Sequence, residues 1–134
     1  MTEKRQKLGK LGEEFAAGWL EESGWTILDR NWRCKLGELD LVVTRRIDRG
    51  KGHAQLVSFV EVKTRRSGLA PKLSVTADKR RRIVKLARWY LKDLGWRAVV
   101  GRFDVVEVVW AAGTCRPQIV HHEGIFDASG RATR

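Results

Sequence analysis

Phe59-Val60-Glu61-Val62-Lys63, opened by Leu56-Val57 and continued by Thr64-Arg65, is the stretch on which the reading of this chain turns. Its β-branched and aromatic residues predict a strand. Side chains alternate along a strand, so Glu61 and Lys63 project from one side and Val62 from the other. Earlier in the chain, Gly37-Glu38-Leu39-Asp40-Leu41, continued by Val42-Val43, is a second apolar strand with acids inside it. Alternation puts Asp40 on the face shared by Glu38 and Val42. Burying carboxylates and an ammonium in such strands is costly unless something pairs them.

If the two strands are neighbours, Asp40 and Glu61 converge on one cation. Mg²⁺ prefers hard oxygen ligands and typically uses one or two carboxylates together with waters and phosphate oxygens. The backbone carbonyl of Val62 could add a ligand, and Lys63 could orient an attacking water, which is the chemistry of phosphodiester hydrolysis. An acid two residues before a lysine arises by composition about once in a chain of this size, so Glu-Val-Lys alone indicates nothing. The other reading of these residues is a one-sided sheet with a solvated polar face.

The chain around these strands has 134 residues, 43% of them hydrophobic, which fits a single domain over residues 1–134 with its core at about 8–127. The tail from about Ala128 is expected to fray. A formal net charge of +11 is high for so small a domain and points to a polyanionic partner, nucleic acid first, although a membrane surface or a ribosome has the same sign. Cys34 and Cys115 form no Cys-x-x-Cys, so neither a zinc site nor a disulfide framework is expected. The opening residues lack a signal-peptide apolar core and no apolar run reaches membrane-spanning length, so the expectation is a cytoplasmic chain without a membrane partner.

Periodicity predicts a helix from about Glu3 to Glu22, stopped at Ser23-Gly24. Strands follow at Trp25–Arg33, Gly37–Arg46 and Ala54–Thr64, with a loop over Ile47–His53. After a basic stretch through Lys72, a second helix is capped by Thr76 and runs to Leu94 before Gly95. Arg97–Trp110 is a strand broken or bulged at Gly101, Ala111–Pro117 a turn, and Gln118–His122 a short last strand. The order α-β-β-β-α-β-β implies a layered α/β domain with a mixed sheet.

Five motifs occur in the order of a known family. Gly9-Lys10-Leu11-Gly12-Glu13-Glu14-Phe15-Ala16 with Trp19-Leu20 resembles the opening helix of the bacterial YraN family. Arg30-Asn31-Trp32-Arg33 with Gly37 to Leu41 is similar to its second signature, and Phe59 to Arg65 to its third. Arg102-Phe103-Asp104-Val105-Val106 and the His121-to-Phe126 stretch look like the fourth and fifth. The resemblance implies a restriction-endonuclease-like core, with the mixed central sheet flanked by helices and the PD-(D/E)xK site of that superfamily. Archaeal Holliday-junction resolvases are its nearest functional relatives by pattern. It also implies that Glu13, Asp40, Glu61 and Lys63 correspond to the nuclease site, with Mg²⁺ or Mn²⁺ as cofactor. One departure is the Thr44-to-Ser58 region, longer and more basic than the family pattern.

From Lys63 to Arg88 the chain holds ten Lys or Arg and one acid, Asp78. Arg65, Arg66, Lys72, Lys79, Arg80, Arg81 and Arg82 are the expected phosphate contacts, which would position a duplex without reading its sequence. The other reading is a solvated helix face. Trp32 is the tryptophan expected at nucleic acid, the others being read mostly as core. His121 and His122 are read as structural and facing opposite ways. The function expected is a Mg-dependent endonuclease-like protein acting on DNA, branched or junction DNA favoured, and possible as a homodimer because a junction needs two cuts. The alternatives are a non-catalytic nucleic-acid-binding module and an RNA- or ribosome-associated factor.

Overall fold

The second helix forms where its sequence signals start and stop it. Thr76 accepts the Lys79 N–H on its hydroxyl (3.2 Å), and Gly95, at φ 69°, returns its N–H to the Leu91 carbonyl. The computed structural model describes residues 3–68 and 75–128, with side chains from residue 9 onward. Its elements are α1 (Glu3–Glu22), β1 (Thr26–Cys34), β2 (Gly37–Arg49), β3 (Gly52–Arg66), α2 (Ala77–Leu94), β4 (Val99–Trp110) and β5 (Gln118–Phe126). The order is the α-β-β-β-α-β-β expected. Lys72 and the tail beyond Ala128 lie outside the described residues.

The five strands form one sheet in the order β1-β2-β3-β4-β5. Neighbours are antiparallel except β3 and β4, which are parallel, with α2 as the crossover that a parallel pair requires. Val42 and Val43 are consecutive yet fall in different apolar clusters, as do Val105 and Val106. One face therefore packs on α1 through Ala16, Ala17 and Leu20, the other on α2 through Ile83, Val84, Leu86, Ala87 and Tyr90. A mixed sheet flanked by helices is the result.

Three boundaries differ from the sequence reading. The loop expected over Ile47–His53 is strand on both sides, pairing Ile47 with Ala54, Asp48 with His53 and Arg49 with Gly52. Only Gly50-Lys51 turns, with Gly50 at φ 57°, so the glycines mark a tight hairpin rather than a long loop. β4 is unbroken at Gly101, which pairs with Val57 in a continuous parallel ladder; its irregularity lies against β5, between Phe103 and Val105. β5 extends past His122 to Phe126, because Gly124, at φ 61°, donates its N–H to Asp104 Oδ1 (2.9 Å) and lets Ile125 and Phe126 return to the core.

Candidate active site

Glu61 and Asp40 meet where β2 and β3 part. The β2–β3 ladder runs from the hairpin tip to Leu41 opposite Val60, and there it ends. Leu39 and Leu41 belong to different apolar layers, so the side-chain alternation of β2 breaks at Asp40. Simple alternation through 38–42 is therefore corrected at this point. Asp40 instead turns toward β3 and accepts the Val62 N–H on Oδ2 (2.9 Å). The carboxylate takes the place of the next ladder acceptor and holds the two strands at a fixed opening.

Burial pushes the Asp40 carboxyl up to about 7, the charge of Glu61 adds to the rise, and the Val62 N–H only partly opposes it. The charge of Glu13 and a hydrogen bond between the Asp40 and Glu61 carboxyls push the same way. Two carboxyls this close resist ionising together. Glu13 is itself raised, by burial first; a hydrogen bond from Asn31 lowers it, and Glu38 and Glu61 raise it. With its amide nitrogen toward the acids, Asn31 donates to Glu38 Oε1 (2.8 Å) and Glu13 Oε2 (3.1 Å). Asn31 holds φ 51°, a left-handed conformation that asparagine tolerates better than most residues. It lies in a motif quoted above, but nothing in the sequence singled it out as a link between α1 and the acids.

Glu61 also pairs with Lys79 Nζ at 2.5 Å, from the first turn of α2. Lys63 follows on the same side of β3 and stands in register with Glu107 of β4. Glu107 is buried, and it receives Arg65 Nε (2.7 Å) and pairs with His122 Nε2 (2.8 Å). Burial raises its pKa, yet these two partners outweigh burial and hold it below the usual range. On the opposite face Asp104 is held by Arg102 and by His121 Nε2 (2.8 Å), so it stays well below the usual carboxylate range despite its burial. The adjacent histidines do face opposite ways, each bound to one buried acid. The sequence reading missed Glu107; a lone acid inside Val105-Val106 and Val108-Val109 was the available signal.

Several expected phosphate contacts are engaged within the protein. Arg80 Nη1 donates to the Val75 carbonyl and Arg81 pairs with Asp78, while Lys79 and Arg65 hold Glu61 and Glu107. Arg66 and Arg82 are exposed. Trp32 is half-buried, its ring edge-on to Tyr90 at 5.5 Å, and it packs against the α2 core. Its place is thus explained by packing.

Among the described residues no three His, Cys, Asp or Glu side chains are grouped to hold a metal by themselves. Asp40 and Glu61 supply two hard oxygen donors, the number a magnesium site commonly takes from protein. Their mutual repulsion would be relieved by a divalent cation, so the donor set fits one.

Residues 12–108, which include Glu13, Asp40, Glu61, Lys63 and Glu107, match the model of the Uncharacterised protein family UPF0102. The chain belongs to the UPF0102 family. UPF0102 proteins of Syntrophotalea carbinolica and Nocardia farcinica are similar to it. The first is 40% identical over 97% of this chain and 99% of its own length. The second is 45% identical over 91% of each. The UPF0102 protein of Myxococcus xanthus is 41% identical over 92% of each. This membership bears out the assignment read from the motifs. Among solved structures, the MspJI restriction endonuclease in complex with a 27-mer oligonucleotide aligns at 20% identity and a TM-score of 0.33, over 81% of this chain and 22% of that one. No helix among the described residues of this UPF0102 chain is long and apolar enough to cross a membrane.

Proposed function

We propose that this chain is a divalent-metal-dependent, endonuclease-like protein that binds DNA, branched or junction DNA foremost, and hydrolyses phosphodiester bonds. The observation that carries the reading is the meeting of the Asp40 and Glu61 carboxyls at the parting of β2 and β3. Asp40 and Glu61 would hold Mg²⁺ or Mn²⁺, with the Val62 carbonyl as a further ligand. The ion would lower the pKa of a bound water and screen the phosphate charge. Lys63, on the same side of β3 as Glu61, orients the water and neutralises the phosphate oxygen. Glu13, steadied by Asn31, tunes the charge of the pair. Lys79 leaves Glu61 as the substrate phosphate arrives. Two symmetric cuts at a junction would be made by a dimer.

The test is incubation of purified protein with branched, flapped and linear DNA in Mg²⁺ or Mn²⁺. Cleavage is expected, falling at least about a hundredfold in Asp40→Ala and in Lys63→Ala, as loss of a positioned catalytic group implies. Activity unchanged in either variant would sink the mechanism.

One observation favours a second reading, a nucleic-acid-binding module without catalysis. The Lys79 ammonium already neutralises Glu61 from within the protein. Calorimetry that finds no divalent-metal binding, beside tight salt-dependent DNA binding, would select the module. Competition between matched DNA and RNA duplexes separates either reading from an RNA-associated factor.

A further inference from the structure

The long basic hairpin is not absorbed by the acidic site. From Asp40 to Arg49 the strand runs roughly 30 Å at about 3.3 Å per residue, so the tip stands at the far end of the same two strands. There the start of β3 lies beside the segment that leads into β4, joined by the Gln55 N–H to the Ala98 carbonyl (2.8 Å). His53, Gln55, Trp96 and Arg97 line an open pocket of about 340 Å³ between them. Trp96 is 40% exposed, which is high for a large apolar ring.

Arg49, Lys51 and Arg97 are exposed, and among the described residues none of the three is in an ion pair. Lys79, Arg65 and Arg81 are each held by a carboxylate, while Arg82 and Lys85 of α2 are, like the tip cations, exposed and in no ion pair among the described residues. Arg97 beside an exposed indole, with Arg49 and Lys51 at the adjoining hairpin tip, matches the chemistry of an unpaired nucleic-acid strand, in which phosphates meet the cations and a base stacks on the ring. One tryptophan offers too little apolar area to anchor in a bilayer, which favours the strand over an anionic membrane.

We propose that the β2–β3 hairpin tip, with Trp96 and Arg97, is a second nucleic-acid site that takes a single-stranded segment. Arg49, Lys51 and Arg97 receive its phosphates, and Trp96 stacks one base. A substrate with a duplex at the acidic pair and an unpaired arm at the tip is therefore favoured. The proposal rests on the nucleic-acid part of the reading above and is independent of hydrolysis.

The experiment measures binding of fluorescent single-stranded DNA to the full chain in EDTA at several salt concentrations. Trp96→Ala is expected to weaken binding about tenfold. The triple change Arg49→Gln, Lys51→Gln, Arg97→Gln should flatten the slope of log affinity against log salt by about 2, at roughly 0.7 per lost phosphate contact. All four side chains are exposed, so the thermal midpoint should stay near wild type, and it is recorded alongside. Wild-type affinity and salt slope in both variants would overturn the proposal, as would binding of anionic vesicles in place of the strand. Asp40→Asn is carried in parallel. Unchanged strand binding in Asp40→Asn, with loss in Trp96→Ala, upholds the tip even if no cleavage is ever seen. Cleavage that depends on Asp40, with strand binding indifferent to Trp96, rejects the tip alone.

Discussion

Asp104 and Glu107 show how neighbouring residues on one strand are handed to opposite layers. Asp104 faces α1 with His121 and Arg102, and Glu107 faces the other way with His122 and Arg65. That the two histidines diverge follows from strand alternation and was legible in the sequence. That each finds a buried acid was not, because the pairing depends on the register of β4 with β5. Removing one partner of a buried charge network leaves the others uncompensated, so Asp104→Ala should cost about 3–5 kcal/mol in denaturant unfolding. The pH dependence follows from the same network. The Asp104 pKa is depressed below its ordinary 3.8 in the folded state, so the unfolded chain binds the proton first. Its contribution to stability is complete above about pH 4 and is lost as pH falls further. Wild type should therefore lose stability more steeply on acidification below pH 4 than Asp104→Asn does, as followed by urea midpoints.

At the scale of elements, α1 reaches the site through a glycine. A Cβ built on Gly12 would lie 2.3 Å from Thr64 Oγ1, whereas Gly9 and Gly18 of the same helix face open space. Gly12 thus sets how closely α1 approaches β3, and with it where Glu13 stands. Gly12→Ala should destabilise by about 1–3 kcal/mol through overpacking. In a Thr64→Ala background the clash is gone, and the same change should become neutral or stabilise by up to about 1 kcal/mol, the helix-propensity gain. A thermodynamic cycle over the four proteins measures this coupling. Helix bounds were the most legible part of the fold, since Thr76 and Gly95 are strong local signals. Thr76→Ala should lower stability by about 1 kcal/mol and loosen the Lys79–Glu61 pair that the first turn presents. The hairpin and β5 were shortened in the sequence reading because Gly50, Gly52 and Gly124 look like loop residues, while here they bend or tighten strands that continue.

For the whole molecule, the net charge is +11, and the fold sorts which cations face outward. The sequence showed a basic run after Lys63, but not that Lys79, Arg65 and Arg81 would be engaged by the protein's own carboxylates. Ion pairing of that kind depends on tertiary neighbours. The convergence of Asp40 and Glu61 was legible from two apolar strands with acids inside them. The break at Asp40 that brings them together was not, because it arises where β2 leaves β3 and pairs with β1 alone. DNA affinity should fall steeply with salt, linearly in log–log form, as counterion release requires. The claim on which the rest depends is that Asp40 and Glu61 form one divalent-cation site. Isothermal titration of Mn²⁺ into wild type, Asp40→Asn and Glu61→Gln measures it directly. The expected result is saturable binding by wild type that is lost in both variants while their circular dichroism is unchanged. Equal binding by all three proteins, or none by wild type, would contradict it.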